Sequence, residues 1–87
     1  MIRGKTSTGF EYVIEATALD NMELLDAIVE ADENPLAVSR VVRLVLGEDQ
    51  RKALYNHLRT ATGNVPVAAV SEAIAEIFRG TGSQGKN

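Results

Sequence analysis

Residues 34–47 read Asn-Pro-Leu-Ala-Val-Ser-Arg-Val-Val-Arg-Leu-Val-Leu-Gly, which is the pattern of a buried helix. Its opening Asn-Pro pair provides a helix N-cap and a proline suited to the first helical position. The stretch is apolar on nearly every side except at Arg40 and Arg43, whose spacing favours a helix over a strand. Gly47 is expected to end the helix as a left-handed C-terminal residue. The pattern therefore predicts a central, mostly buried helix.

The preceding segment predicts an acidic helix. Asp20 is its expected N-cap, and Glu23 completes a pattern close to a capping box. Asp26, Glu30 and Glu33 are expected on its solvent side. Its apolar stripe consists of Met22, Leu25, Ile28 and Val29, widened by Leu24. We expect this stripe to be core, so that Leu25→Ala would cost about 2–5 kcal/mol, and a docking groove is the rival interpretation.

Two more helices are predicted after the central one. One begins at Glu48 and closes at residues 62–64, and the other begins at Val65 and stops at Gly80. The inward positions of the first are Leu54, Leu58 and Ala61. Those of the second are Val67, Val70, Ile74, Ile77 and Phe78. Residues 80–87 are rich in Gly and Ser, which is typical of a flexible tail.

The N-terminal region predicts one short strand. Phe10, Tyr12 and Ile14 share one side at a period of two, with Glu11 opposite, as in a half-buried strand. A lone strand leaves backbone groups unpaired, so it needs a partner from residues 2–6, from another chain or from a target.

These elements together predict a mostly α protein: a compact bundle of about four short helices with a short N-terminal strand or hairpin. Residues 1–79 would form a single domain, followed by the flexible tail over residues 80–87. The length of 87 residues fits one small domain. Zero cysteines exclude disulfide scaffolds and thiolate metal sites. The N-terminus lacks the apolar core of a signal peptide, which favours a cytoplasmic product.

The charge is unevenly distributed around a formal net charge of -3. Residues 11–33 contain eight acids and no Lys or Arg, whereas residues 40–59 contain five basic residues and two acids. The two blocks can attract each other, form ordinary solvated helix faces, or present opposite signs to partners. The candidate partner-binding residues are Asp26, Glu30, Glu33, Arg40, Arg43 and Arg51.

Little in the sequence points to enzymatic chemistry. His57, the single histidine, lies within a predicted helix without a nearby carboxylate and nucleophile to form a catalytic arrangement, so we interpret it as structural or surface-exposed. Residues 32–34 lack the alternating spacing of a calcium loop. No catalytic, cofactor-binding or metal-binding residue is predicted, and the chain is expected to be no enzyme. Nucleic-acid binding is not expected because the chain is acidic and its basic block is short. No apolar run reaches the roughly 18 residues of a membrane span.

The order of these motifs resembles one known family. The motifs are Phe-Glu-Tyr at residues 10–12, Ala-Leu-Asp-Asn-Met-Glu-Leu-Leu-Asp-Ala at 18–27, Val-Leu-Gly at 45–47 and Gly-Asn-Val-Pro-Val at 63–67. Over roughly residues 10–79, the chain resembles the tail assembly chaperones of siphophages and their prophages.

The resemblance implies a non-enzymatic assembly factor in the host cytoplasm that is absent from the mature virion. Its implied partners are the tape-measure protein, whose apolar helices it would coat, and the tail-tube protein that polymerises around them. The family often makes a longer frameshifted product, and residues 84–86 are compatible with slippery codons. A frameshifted longer form of this chain is thus a further expected partner. Separately, edge-to-edge pairing of the unpaired strand at residues 10–14 with a second copy would give a homo-oligomer. The alternative function is a generic small helical interaction or adaptor module.

Overall fold

A two-stranded antiparallel hairpin leads into four α-helices, which confirms the predicted fold class. The computed structural model describes residues 1–85, with side chains described as far as Thr81. The strands are β1 (Ile2–Lys5) and β2 (Glu11–Ile14). The helices are α1 (Ala16–Leu19), α2 (Met22–Glu33), α3 (Val38–Leu58) and α4 (Val67–Gly85), with a 3-10 turn at Pro35–Ala37 between α2 and α3.

The predicted strand finds its partner within the chain. β2 pairs with β1 in a register that sets Ile14 opposite Ile2 and Glu11 opposite Lys5. Gly9 adopts a positive φ of 97° in the connecting loop, a conformation that favours glycine. The inward side chains are buried as the period of two predicts: Phe10, Tyr12 and Ile14. The first of the three possible sources of a partner strand is thus the one used.

Polar contacts join the hairpin to the helices. Ser7 donates from its backbone N–H and its hydroxyl to the two carboxylate oxygens of Glu76 in α4, at 2.8 and 3.0 Å. Gln50 in α3 binds both backbone groups of Val13 in β2. The hairpin is therefore anchored from two helices as well as by its buried apolar side chains.

The start of α2 corrects one prediction. Asn21, and not Asp20, is the N-cap, since its backbone is extended and its Oδ1 accepts a hydrogen bond from the Glu23 N–H at 2.9 Å. Asp20 instead follows the short helix α1 as its C-terminal neighbour. Asn and Asp are almost equally good N-caps, so the extra turn of helix before Asp20 decided between them.

The buried side of α2 also differs from the prediction. Leu24 and Ala27 are buried, whereas Met22, Leu25 and Val29 are exposed. The segment carries two stripes at helical spacing, and the second one, at positions 24, 27, 28 and 31, contains two alanines. Small side chains let helices approach closely, which favours the second stripe at the contact with α3. The interpretation of the Met22–Val29 stripe as core is therefore wrong for its exposed members.

Gly47 breaks α3 into two helical segments, 38–46 and 48–58. Its φ of 77° is positive, as predicted, but its ψ of 173° lies far from the left-handed helical value. Gly47 therefore occupies an extended region that is essentially restricted to glycine. The buried residues of α3 are Val41, Val42, Val45, Leu46 and Leu54. Leu58 is half-buried, but Ala61 is exposed because α3 ends at Leu58, so its predicted inward placement is wrong.

Helix α4 buries one side and runs past its predicted end. Val70, Ile74 and Ile77 are buried as expected, whereas Val67 at the first turn is exposed. The predicted stop at Gly80 is wrong, since α4 is described through Gly85. An interior glycine costs a helix only about 1 kcal/mol relative to alanine. The tail predicted over residues 80–87 thus starts inside a helix, and its last two residues lie outside the described part.

Candidate partner-binding surface

Helix α2 brings the three acidic candidates together. Asp26, Glu30 and Glu33 are all exposed and recur at spacings of four and three, so they share one side of the helix. Their solvent exposure agrees with the prediction, while their separation from the apolar stripe does not. Helical geometry places Glu33 between Asp26 and Val29 around the axis. The acids therefore lie directly beside the exposed apolar side chains.

Three large apolar side chains share this exposed side of α2. Met22 is 68% exposed, Leu25 51% and Val29 64%. We define the α2 face by seven exposed residues: Met22, Leu25, Asp26, Val29, Glu30, Asp32 and Glu33. A single exposed apolar residue is ordinary on a protein surface, but an aligned group at helical spacing is typical of a contact surface.

Within the described residues, no ion pair within 4 Å compensates the charge of the α2 face. Helix α2 contains no Lys or Arg, and its last turn has no basic residue. Among the described side chains, Asp26, Glu30 and Glu33 form no ion pair within 4 Å with Arg40 or Arg43. Acids near a helix C-terminus also oppose the helix dipole. The two charge blocks thus do not neutralise each other through these residues.

Two apolar grooves flank the 3-10 turn beside α2. The larger, of about 410 Å³, runs between α2 and α4, with Ile28 and Asp32 in its wall. Ile28 follows Leu25 by three positions, so the α2 face continues towards this groove. The smaller, of about 240 Å³, lies between Leu36, Tyr55 and Val67. Leu36 is 82% exposed. Pro35 and Val38 line both grooves.

The basic candidates occupy two different environments. Arg40 and Arg43 are exposed on the first segment of α3. Arg51, beyond Gly47, is half-buried, and its Nε donates to Glu48 Oε1 at 2.6 Å while its guanidinium lies 5.4 Å from the centre of the Tyr55 ring. Arg51 is therefore already engaged within its own helix.

Electrostatics around Glu48 follow from this pairing. The hydrogen bond from Arg51, with further contributions from the charges of Arg51, Lys52 and Arg43, lowers the pKa of the Glu48 carboxyl. The same hydrogen bond raises the pKa of the Arg51 guanidinium. Both groups stay charged near neutrality, and Arg51 is the least available of the three basic candidates for a partner.

His57 sits at the hairpin and not in a cleft with other reactive groups. Its Nε2 lies 3.0 Å from the carbonyl oxygen of Thr8, and its ring centre lies 5.8 Å from that of Phe10. The side chain is exposed and bridges α3 to the hairpin loop. This placement agrees with the interpretation of His57 as a structural or surface residue.

The described residues form neither a metal site nor a membrane-spanning helix. Over residues 1–85, no group of three or more His, Cys, Asp or Glu side chains is arranged to hold a metal ion. Over the same range, no helix has the length and apolar character needed to cross a membrane.

The exposure of Met22, Leu25 and Val29 was not predicted from the sequence. The available signal was the second stripe through Leu24 and Ala27, whose alanines suit close helix packing. The contacts of Gln50 and Glu76 were not predicted either, because their partners in the hairpin lie 37 and 69 residues away in the chain. No periodic pattern reports such distant hydrogen bonds.

The chain was compared with family models, curated proteins and solved structures. No family model, curated protein or solved structure matches this chain. The resemblance to tail assembly chaperones therefore depends on the motifs quoted from the sequence.

Proposed function

We propose that this chain is a non-enzymatic tail assembly chaperone that binds a tape-measure protein and assists tail-tube polymerisation in the host cytoplasm. The observation that carries the proposal is the exposure of Met22, Leu25 and Val29 along one side of α2. A chaperone for a long helical protein needs an apolar surface that its own fold leaves uncovered.

The geometry suits an elongated partner. The α2 face and the groove between α2 and α4 adjoin at Ile28, so together they offer apolar contacts over more than one helix. An amphipathic helix binds such a surface through side chains at spacings of three and four. Many copies bound along one tape-measure protein would need only modest affinity each.

Co-expression with the tape-measure protein encoded beside this gene tests the proposal. We expect the native chain to increase the soluble fraction of that protein. The triple variant Met22→Ser, Leu25→Ser, Val29→Ser should lose this effect while remaining folded at the temperature of the assay, as circular dichroism can check, because these side chains are largely exposed.

A matched control replaces exposed residues away from α2, such as Glu11→Ser and Glu72→Ser. This control should retain the solubilising effect. If the tape-measure protein is equally insoluble with and without the native chain, the chaperone function is refuted, and a general interaction module becomes the better account of the exposed surface.

A further inference from the structure

We propose that the α2 face binds a cationic amphipathic helix, one whose apolar stripe is flanked by Lys or Arg. This inference rests on the proposed function for the identity of the partner, and it adds the binding surface and the chemistry of the bound segment. It draws on both the exposed apolar residues and the acids beside them.

The apolar residues of the α2 face indicate that the ligand is a helix. Met22, Leu25 and Val29 lie at positions i, i+3 and i+7, which form a stripe along the 12-residue helix α2. The stripe covers the first eight residues of α2, which is about 10 Å along the helix axis. A stripe of this length fits about two turns of a second helix packed alongside, with side chains at matching spacings.

The acidic residues of the α2 face determine which charge the ligand must carry. Asp26 and Glu30 lie on one flank of the stripe, and Asp32 lies on the other, beyond Leu25. Basic side chains on both flanks of a docked helix would therefore meet carboxylates on both sides. An acidic ligand would meet repulsion on both sides, so electrostatics select the cationic class.

A second copy of this chain is the competing occupant. Arg40 and Arg43 provide only two exposed basic residues on the first segment of α3. Two charges on one side of a helix do not match acids on both flanks of the α2 stripe. The complementarity is better for a ligand that carries basic residues on both sides of its apolar stripe.

Synthetic peptides test the inference directly. Two amphipathic helical peptides share one leucine stripe, flanked by Lys in one and by Glu in the other, and a third carries the Lys flanks with Ser replacing Leu. We expect the native protein to bind the Lys-flanked peptide roughly tenfold more tightly than the Glu-flanked one at low salt. The preference should shrink as salt rises, and the Ser-containing peptide should bind weakly.

Variants locate the surface. Asp26→Lys/Glu30→Lys should reverse the preference towards the Glu-flanked peptide, and Leu25→Ser/Val29→Ser should weaken both peptides. The matched control, Glu11→Lys/Glu72→Lys, makes the same change in net charge at exposed positions outside α2 and should retain the native preference. Equal affinity for the two flanked peptides, or an equal response of the charge variant and its control, overturns the inference.

Two further outcomes separate this inference from the chaperone proposal. If the peptides behave as expected but the tape-measure protein stays insoluble, the surface assignment holds and the chaperone function fails. If the tape-measure protein is solubilised equally well by the α2 variants, the chaperone function holds and the surface assignment fails. Concentration-dependent dimerisation that Leu25→Ser/Val29→Ser abolishes would assign the α2 face to a second copy and also overturn the inference.

Discussion

Gln50 pairs with Val13 as a neighbouring strand would. The Val13 N–H donates to Gln50 Oε1 at 2.8 Å, and Gln50 Nε2 donates to the Val13 carbonyl oxygen at 2.6 Å. The same Nε2 also donates to the carbonyl oxygen of Leu46 at 3.0 Å, just before the break at Gly47. One side chain thus covers the outer edge of β2 and satisfies a carbonyl at a helix break. Because Gln50 occupies both backbone groups of Val13, β2 cannot pair at this residue with a strand of another chain, which was one of the alternatives that the sequence left open.

Removing this side chain should destabilise the hairpin. We expect Gln50→Ala to lower the free energy of unfolding by about 1–3 kcal/mol, because it leaves half-buried backbone groups of Val13 without partners. Urea denaturation measures the loss, and hydrogen exchange should speed up at the Val13 amide. Lys52→Ala, at an exposed neighbouring site, serves as the control with an effect below about 0.5 kcal/mol. An unchanged Val13 exchange rate in Gln50→Ala would contradict the assignment.

Tyr12 occupies space that two glycines leave open. A Cβ at Gly4 would lie 2.3 Å from Tyr12 Oη, and one at Gly80 would lie 2.8 Å from it. Gly80→Ala should therefore lose part or all of the stability that alanine normally gives a helix. In a Tyr12→Phe background the hydroxyl is absent, and Gly80→Ala should then stabilise by up to about 1 kcal/mol. A thermal-denaturation double-mutant cycle checks this coupling, and additive effects would argue against the contact.

Gly47 is expected to tolerate no other residue well. Its φ of 77° and ψ of 173° suit glycine alone, and no atom within 4 Å would obstruct a Cβ, so any cost is one of backbone conformation. We expect Gly47→Ala and Gly47→Asn to lower the free energy of unfolding by similar amounts, about 1–3 kcal/mol. Chemical denaturation measures both. A much smaller loss for Asn would indicate a left-handed helical conformation instead, since asparagine tolerates that region.

Two apolar residues that look alike in sequence should respond differently to truncation. Ile74 is 5% exposed, so Ile74→Ala should cost about 2–5 kcal/mol through lost burial and an internal cavity. Leu25 is half exposed, so Leu25→Ala should cost less than about 1 kcal/mol. Urea denaturation of the two variants side by side makes the comparison. Similar losses at both positions would show that α2 buries the side that carries Leu25.

The local architecture could be predicted from the order of the amino acids alone. Apolar runs at a period near 3.6 set the helices, the alternation from Phe10 to Ile14 set a strand, and Gly47 set a break in α3. These features depend on neighbouring residues, because backbone propensity, capping and periodicity act over a turn or two. Even the misplaced cap, Asp20 instead of Asn21, was an error of one position.

The buried side of α2 and the contacts that hold the hairpin depend on how the elements pack together. Two stripes of α2 satisfy helical spacing equally, and the choice between them depends on the closeness that Ala27 allows against the other helices. The contacts of Gln50 with Val13 and of Glu76 with Ser7 join residues far apart in the chain. The candidate binding surface is the stripe that stays exposed after packing. Its exposure depends on which of the two stripes of α2 packs better against the other helices, and periodicity alone does not show this.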